Sequence, residues 1–222
     1  MYKTNELLDL NHSIAKEYLN KYEYPWAALT GINDLIIELG QQLNKEEYVE
    51  VKENVWVHKT ANVYESAYIN GPCIIGPNSE VRHCAFIRGS ALIGENCVVG
   101  NSCELKNVIL FDNVQVPHYN YVGDSILGYK AHMGAGSITS NVRGDKNLVK
   151  IHAEEDIETG LKKMGAILGD YAEIGCNAVL NPGCIIGRNA MVYPTSCVRG
   201  VVKENTIFTN KEERISKQWL KE

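Results

Sequence analysis

A period of six governs this chain. From Val57, aliphatic residues recur at Val63, Ile69, Ile75, Val81, Ile87, Ile93, Val99 and Leu105. Four places after the first eight of these stand small residues: Ala61, Ala67, Cys73, Ser79, Ala85, Ala91, Cys97 and Cys103; the pattern stops at Ile109. It returns at Leu168, Ile174, Leu180, Ile186, Val192 and Val198, with Ala172, Ala178, Cys184, Ala190 and Ser196 as small partners. Between the two runs, Tyr121, Leu127, Met133 and Thr139 keep the spacing in a shifted register. A strand alternates with period two and an α-helix near 3.6. A strict six, with one bulky and one small inward position, instead predicts a short flat strand followed by a tight turn. Three such units close a triangular coil of about 18 residues, and coils stack at the strand spacing of about 4.8 Å. The visible and implied units predict around six coils. A β-sandwich of alternating strands has no reason to keep phase over nine units. The expected fold is therefore an all-β solenoid, a parallel β-helix, in which cysteines at small positions act as core fillers.

The ends differ. Residues 1–54 form an N-terminal helical segment, with helices expected over 6–20 and 31–43 around Tyr24-Pro25-Trp26. Ile32, Leu35, Ile36, Leu39 and Leu43 make an apolar stripe at helical spacing. Such a segment reads as a cap on the first coil or on a neighbouring subunit, because a solenoid needs its open end covered; Trp26 shows no sign of a cofactor role. The β-helix spans 55–205. Residues 142–165 break the hexad and carry many charges, so they read as a loop or hairpin extruded from a coil, and long loops in compact folds tend to carry function. The tail, 206–222, ends in a short charged helix or a frayed segment over 211–222.

A net charge of −5 offers no argument for nucleic acid or membrane binding, and no window is apolar enough to span a bilayer. The opening MYKTNELLDLNH is not a secretory signal. A cytoplasmic location with reduced thiols follows as the expectation. None of the seven cysteines forms a CxxC pair, which argues against a zinc knuckle or dithiol redox site.

Spacing also nominates residues for chemistry. Arg88 and Lys106 lie one coil apart and each follows an inward aliphatic residue, so they stack as two cations. They are either solvated surface charges or a pair that calls for an anion such as a phosphate. His118 follows Pro117 where the first register is lost, and sites cluster at such exceptions. It is either a surface histidine or a catalytic one.

The segments VPHYNYVGDSILG (116–128), MGAGSITSN (133–141) and GLKKMGAILGD (160–170) resemble the C-terminal domain of bifunctional sugar-1-phosphate nucleotidylyltransferase/acetyltransferases. Among these is the glucosamine-1-phosphate N-acetyltransferase domain of UDP-N-acetylglucosamine pyrophosphorylase. The resemblance covers roughly residues 55–205 and implies a left-handed β-helix working as a homotrimer. It implies transfer of an acetyl group from acetyl-CoA to the amine of an amino-sugar-1-phosphate, glucosamine-1-phosphate first, with no metal. His118 would be the general base. Arg88 and Lys106 would hold the phosphate; Tyr121 and Asn141 the sugar; Lys150, or alternatively Lys146, would complete that site. Gly134 and Ala135 would meet the thioester and offer backbone N–H groups to the oxyanion, with Cys176, Tyr193 and Pro194 along the pantetheine groove. Neutral histidine suits the task because an amine attacks a thioester only when deprotonated. Cys176 has no obvious partner base and is not read as a nucleophile.

The sequence departs from this family in three places. His132 stands where the bacterial enzymes usually have Asn, and Cys176 and Pro194 replace small residues of the CoA groove; these bear on sugar choice and CoA affinity. No Gly-rich nucleotide loop precedes the helix, and 54 residues cannot hold a nucleotidyltransferase domain, so pyrophosphorylase activity is not expected; a separate nucleotidyltransferase is a possible partner. Two other readings compete. The γ-type carbonic anhydrases share this architecture and bind zinc through three histidines, but His83, His118 and His132 lack that family's close pair. A catalytically inactive sugar-nucleotide-binding or trimeric scaffold module would share the fold, and the retained Arg88, Lys106, His118, Tyr121 and Asn141 speak against it.

Overall fold

A computed structural model describes residues 1–209 and 214–216. The chain is a left-handed parallel β-helix with three flat faces. Eight short strands stack in parallel on the first face, from Val55–His58 to Val201–Val202. Eight also stack on the second, from Asn62–Val63 to Thr206–Phe208, and seven on the third, from Tyr68–Ile69 to Cys197–Val198. The hexad predicts fewer coils because several hide in the shifted central region. There the strands Glu104–Leu110 and Tyr121–Leu127 each run through a corner. Phe86 lies opposite Glu104, a full 18 residues on, but Glu104 lies opposite Tyr121, only 17 on.

Inward aliphatics at Val81, Ile87, Ile93, Val99 and Leu105 are buried, as are the small partners Cys73, Ala85, Cys97 and Cys103. Many turns place an asparagine in the left-handed region, at Asn78, Asn96, Asn113, Asn177, Asn189 and Asn205. Asparagine tolerates that backbone because its short side chain can bond locally.

Outward residues of the first face are also apolar and fully buried: Ile74, Leu92, Ile109, Ile126, Ile167 and Ile185. Their cover is the N-terminal segment. It does not fold as one helix over 6–20 but as the short turns Thr4–Leu7, Leu10–His12 and Lys16–Leu19, followed by the helix Ile32–Gln42. It does meet the first coil, where Gly40 leaves room for the Trp56 indole. Its course is longer than a cap, however, for it runs along the face against the direction of coil growth. Tyr2 accepts from Glu204 N–H at 2.8 Å, and Asp9 N–H donates to Asp170 at 2.7 Å. The His12 ring stacks on Tyr129 at 3.6 Å, Asn107 donates to Leu29 O at 3.1 Å, and Asn33 meets Ser90 at 3.1 Å. Burying each Ile or Leu side chain beneath this strap stabilises the fold by about 1.5–3 kcal/mol.

The extruded segment is a hairpin, Lys150–Ile151 against Ile157–Glu158, and it lengthens one coil so that Ile138 lies opposite Val179. It docks back on the solenoid at Gly183 and Gly200, where φ is +84° and +81°. A Cβ at either would collide with a hairpin carbonyl, Lys150 O or His152 O. In the tail, Thr206–Phe208 continues the second face and Arg214–Ser216 pairs with it antiparallel, a strand where a helix was one expectation; the rest of 211–222 lies outside the described residues.

Candidate active site

Turns between the second and third faces stack into one edge, comprising residues 117–120, 134–137, 175–178 and 193–196. Backbone bonds join them rung to rung: Gly136 N–H to His118 O at 2.9 Å, Asn177 N–H to Ala135 O at 2.8 Å, and Thr195 N–H to Cys176 O at 2.8 Å. The sequence-predicted His118, Gly134, Ala135, Cys176, Tyr193 and Pro194 therefore share this edge. Cys176 and Tyr193 are exposed.

His118 is exposed, and its imidazole has no hydrogen-bond partner among the described residues. Its main chain is held firmly. The His118 N–H donates to Asn120 Oδ1 at 3.0 Å, and the Asn120 amide donates to Gly134 O at 2.8 Å and Ser137 O at 3.1 Å. Asn120, only 2% exposed, occupies the inward corner position filled by Cys103 one coil earlier and Ser137 one coil later. A buried amide with satisfied bonds fixes one turn geometry. The ring is thus presented from a rigid rung with both nitrogens open.

The two N–H groups expected at the thioester differ. Gly134 N–H already donates to Ile174 O at 2.7 Å, so it is consumed by the next coil and is not an oxyanion donor. Ala135 N–H has no partner among the described residues and remains available.

The opposite edge of the third face carries the acceptor candidates. Arg88, Lys106 and Gly123 stack in one column. The cations do not face each other unpaired, as spacing alone implied. Arg88 meets Glu104 at 2.8 Å, and Lys106 meets the buried Asp124 at 2.9 Å. Asp124 Oδ1 also accepts from Asn107 at 3.0 Å, and its Oδ2 accepts from Asn141 at 2.5 Å. The Asn141 amide donates again to the Tyr121 hydroxyl at 3.1 Å. Both amide hydrogens of Asn141 are then used, leaving its Oδ1 and the Tyr121 O–H proton free to meet a ligand. Burial pushes the Tyr121 phenol up from its ordinary range, against the Asn141 bond, so it stays a neutral donor. Lys150 pairs with Glu158 across the hairpin at 2.6 Å, and Lys146 sits in the turn preceding it with φ +60°.

Asn107, Asn120 and Asp124 were missed by motif reading. Asn107 and Asp124 take left-handed backbone at the shortened corners, with φ of +55° and +48°. A polar residue at an inward or register-breaking position is the signal that finds them. Of the other histidines, His83 packs on Tyr64 at 4.5 Å and His132 meets Glu173 at 2.9 Å. Among the described residues, no three His, Cys, Asp or Glu side chains gather as metal ligands. Among those residues, no helix is long and apolar enough to cross a membrane.

Comparison with known proteins agrees with this architecture. Residues 69–159 match the GMPPB C-terminal domain, and residues 165–200 match the bacterial transferase hexapeptide (six repeats). The bifunctional protein GlmU of Methanococcus maripaludis is 31% identical over 202 residues, covering 89% of this chain and 49% of the relative. A bifunctional sugar-1-phosphate nucleotidylyltransferase/acetyltransferase of Sulfurisphaera tokodaii is 33% identical over 172 residues, covering 74% of this chain and 41% of the relative. The chain thus spans about half the length of the curated relatives it matches. Among solved structures, a hexapeptide transferase family protein from Anaplasma phagocytophilum aligns with a TM-score of 0.42 at 17% identity, over 74% of this chain and 81% of that one.

Proposed function

Since the chain belongs to the hexapeptide-repeat acyltransferases, the family that includes the C-terminal part of bifunctional sugar-1-phosphate nucleotidylyltransferase/acetyltransferases, we propose that it acetylates the amine of a hexosamine-1-phosphate from acetyl-CoA, with glucosamine-1-phosphate as the first candidate. One observation carries this reading: a rigidly held His118 ring, with no hydrogen-bond partner among the described residues, stands one rung from the Ala135 N–H, likewise unpartnered among them, on the edge that continues through Cys176 and Pro194.

In this mechanism the acceptor lies across the third face. Its phosphate approaches Arg88 and Lys106, and its hydroxyls meet the Tyr121 O–H and Asn141 Oδ1. His118 takes the proton that the amine must lose. The amine nitrogen bonds to the thioester carbonyl carbon, and the developing oxyanion accepts from Ala135 N–H. The C–S bond then breaks, and the CoA sulfur leaves as a thiolate that acquires a proton. No acyl-enzyme is required. The third face exposes Tyr68 and Phe86. Its apolar surface suits packing against further copies of the chain, so the proposed working form is a homotrimer with the CoA groove between subunits. Lys150 completes the acceptor site in this reading.

Thiol release from acetyl-CoA with glucosamine-1-phosphate tests the proposal, in native protein and in His118→Ala. Expected are turnover by the native chain and a loss of at least about a hundredfold in the variant, within the range for a general base. No release with glucosamine-1-phosphate, galactosamine-1-phosphate or UDP-linked amino sugars would reject it.

A further inference from the structure

The column that begins with Arg88 and Lys106 continues through Gly123, Ser140 and Asn181 to Arg199. Each follows an inward residue at the end of a third-face strand. Four rungs separate Lys106 from Arg199, about 19 Å at the strand spacing, too far for one phosphate to reach both. Around Arg199 the docked hairpin and the solenoid wall border an open cleft of about 500 Å³. It is lined by Ser140, Asn181, Arg199, His152 and the turn at Arg143–Asp145. The proposed mechanism uses none of the residues that line this cleft.

Its electrostatics favour an anion. Asp145 is held by both oxygens on Arg143, which makes that pair nearly neutral. Arg199 has no carboxylate partner among the described residues. It donates to His152 Nε2 at 2.9 Å, and His152 Nδ1 lies 2.8 Å from Asp156. Arg199 thus meets an imidazole rather than a carboxylate, and Asp156 lies at the other nitrogen of that ring. The Gly144 N–H and the Ser140 hydroxyl also have no hydrogen-bond partner among the described residues. The cleft is preformed, because the left-handed glycines 183 and 200 let the hairpin press on the wall. Its volume lies within the usual small-molecule range, about 300–1,000 Å³. Val142 and Pro182 add apolar surface on which a planar base can lie.

We propose that this cleft binds a nucleoside diphosphate, with Arg199 gripping the phosphates and Ser140 and the Gly144 N–H as neutral donors. The site lies farther along the edge that carries the acceptor candidates, and none of its lining residues has a role in the acetyl-transfer reading. Calorimetric titration of the full chain with UDP tests it, with inorganic phosphate as competitor, in native protein, Arg199→Ala and Arg199→Lys. Each variant is first checked for native-like thermal melting. Expected are saturable UDP binding by the native chain, loss of at least tenfold in affinity in Arg199→Ala, a smaller loss in Arg199→Lys, and displacement by phosphate. Thiol release with glucosamine-1-phosphate, run in parallel, is expected to be unchanged in Arg199→Ala. Absence of UDP binding to the native protein, or equal affinity in Arg199→Ala, overturns the inference while leaving acetyl transfer to stand on its own assay. Binding of phosphate without UDP overturns the nucleoside part.

Discussion

The Lys106 ammonium lies 2.9 Å from the Asp124 carboxylate, whose side chain is 5% exposed, whereas Arg88 one coil away meets the open Glu104. The same carboxylate holds Asn141 and Asn107, so one buried carboxylate sets the direction of two proposed acceptor-binding residues, Lys106 and Asn141. Asp124→Asn keeps the shape and removes the charge. Hydrogen bonds to charged groups are worth about 1.5–3 kcal/mol. The KM for amino-sugar-1-phosphate is therefore expected to rise at least about tenfold, while the KM for acetyl-CoA, proposed to bind on the opposite edge, stays within about twofold. Steady-state kinetics in both substrates check this; a parallel rise in both constants would mean that Asp124 serves the fold alone.

Thiol accessibility divides the seven cysteines. Cys84, Cys176 and Cys197 are exposed, and Cys73, Cys97, Cys103 and Cys184 are buried. Iodoacetamide under native conditions is expected to label the first three and spare the others. Saturating acetyl-CoA is expected to slow labelling at Cys176 severalfold and leave Cys84 unchanged, as read by peptide mass spectrometry. Unaltered labelling at Cys176 would remove that residue from the CoA groove.

Burial pushes the Cys73, Cys97 and Cys184 thiols from the ordinary 9.0 up to about 12. In the unfolded chain these thiols ionise near pH 9 while the folded chain still holds their protons. Their contribution to stability is complete below pH 9 and falls as pH rises through the window up to about 12. Each thiol removes at most about 1.4 kcal/mol per pH unit there. Denaturant midpoints measured between pH 8 and 11 are expected to fall, and Cys73→Ala/Cys184→Ala to flatten the slope even if it lowers the midpoint at pH 8.

Leu7 is fully buried in the strap, with a methyl against Gly169. Leu7→Ala is expected to destabilise the protein by about 2–5 kcal/mol. Chemical denaturation followed by tryptophan fluorescence measures it. A loss below about 1 kcal/mol would mean that the strap is only loosely attached.

Much of the solenoid is written in the hexad, because inward aliphatic and small positions must repeat wherever coils stack. The sequence also nominated the edge proposed to carry the chemistry, through His118, although the register is lost earlier, at the Asn107 corner. What a repeat does not encode is the occupant of its outer surface. Ile74, Leu92 and Ile109 carry the same apolar character whether covered by a neighbour or by an earlier segment of the same chain, and only the assembled fold shows the strap. The Asp124 cluster was obscured for a different reason. A coil one residue short displaces the frame, and a corner aspartate then looks like an ordinary turn residue.

The route of the strap has a consequence for biosynthesis. Coils of a solenoid contact only their neighbours and can form in succession as they leave the ribosome. The strap, made before the coils that it covers, by contrast has its docking surface completed late, since Tyr2 meets Glu204 across a separation of 202 residues. Until the Glu204 rung exists, the strap lacks its farthest anchor and the apolar wall is not fully covered. The strap thereby couples otherwise independent rungs into one cooperative unit, and a chain interrupted midway through translation exposes the very surface that quality control recognises.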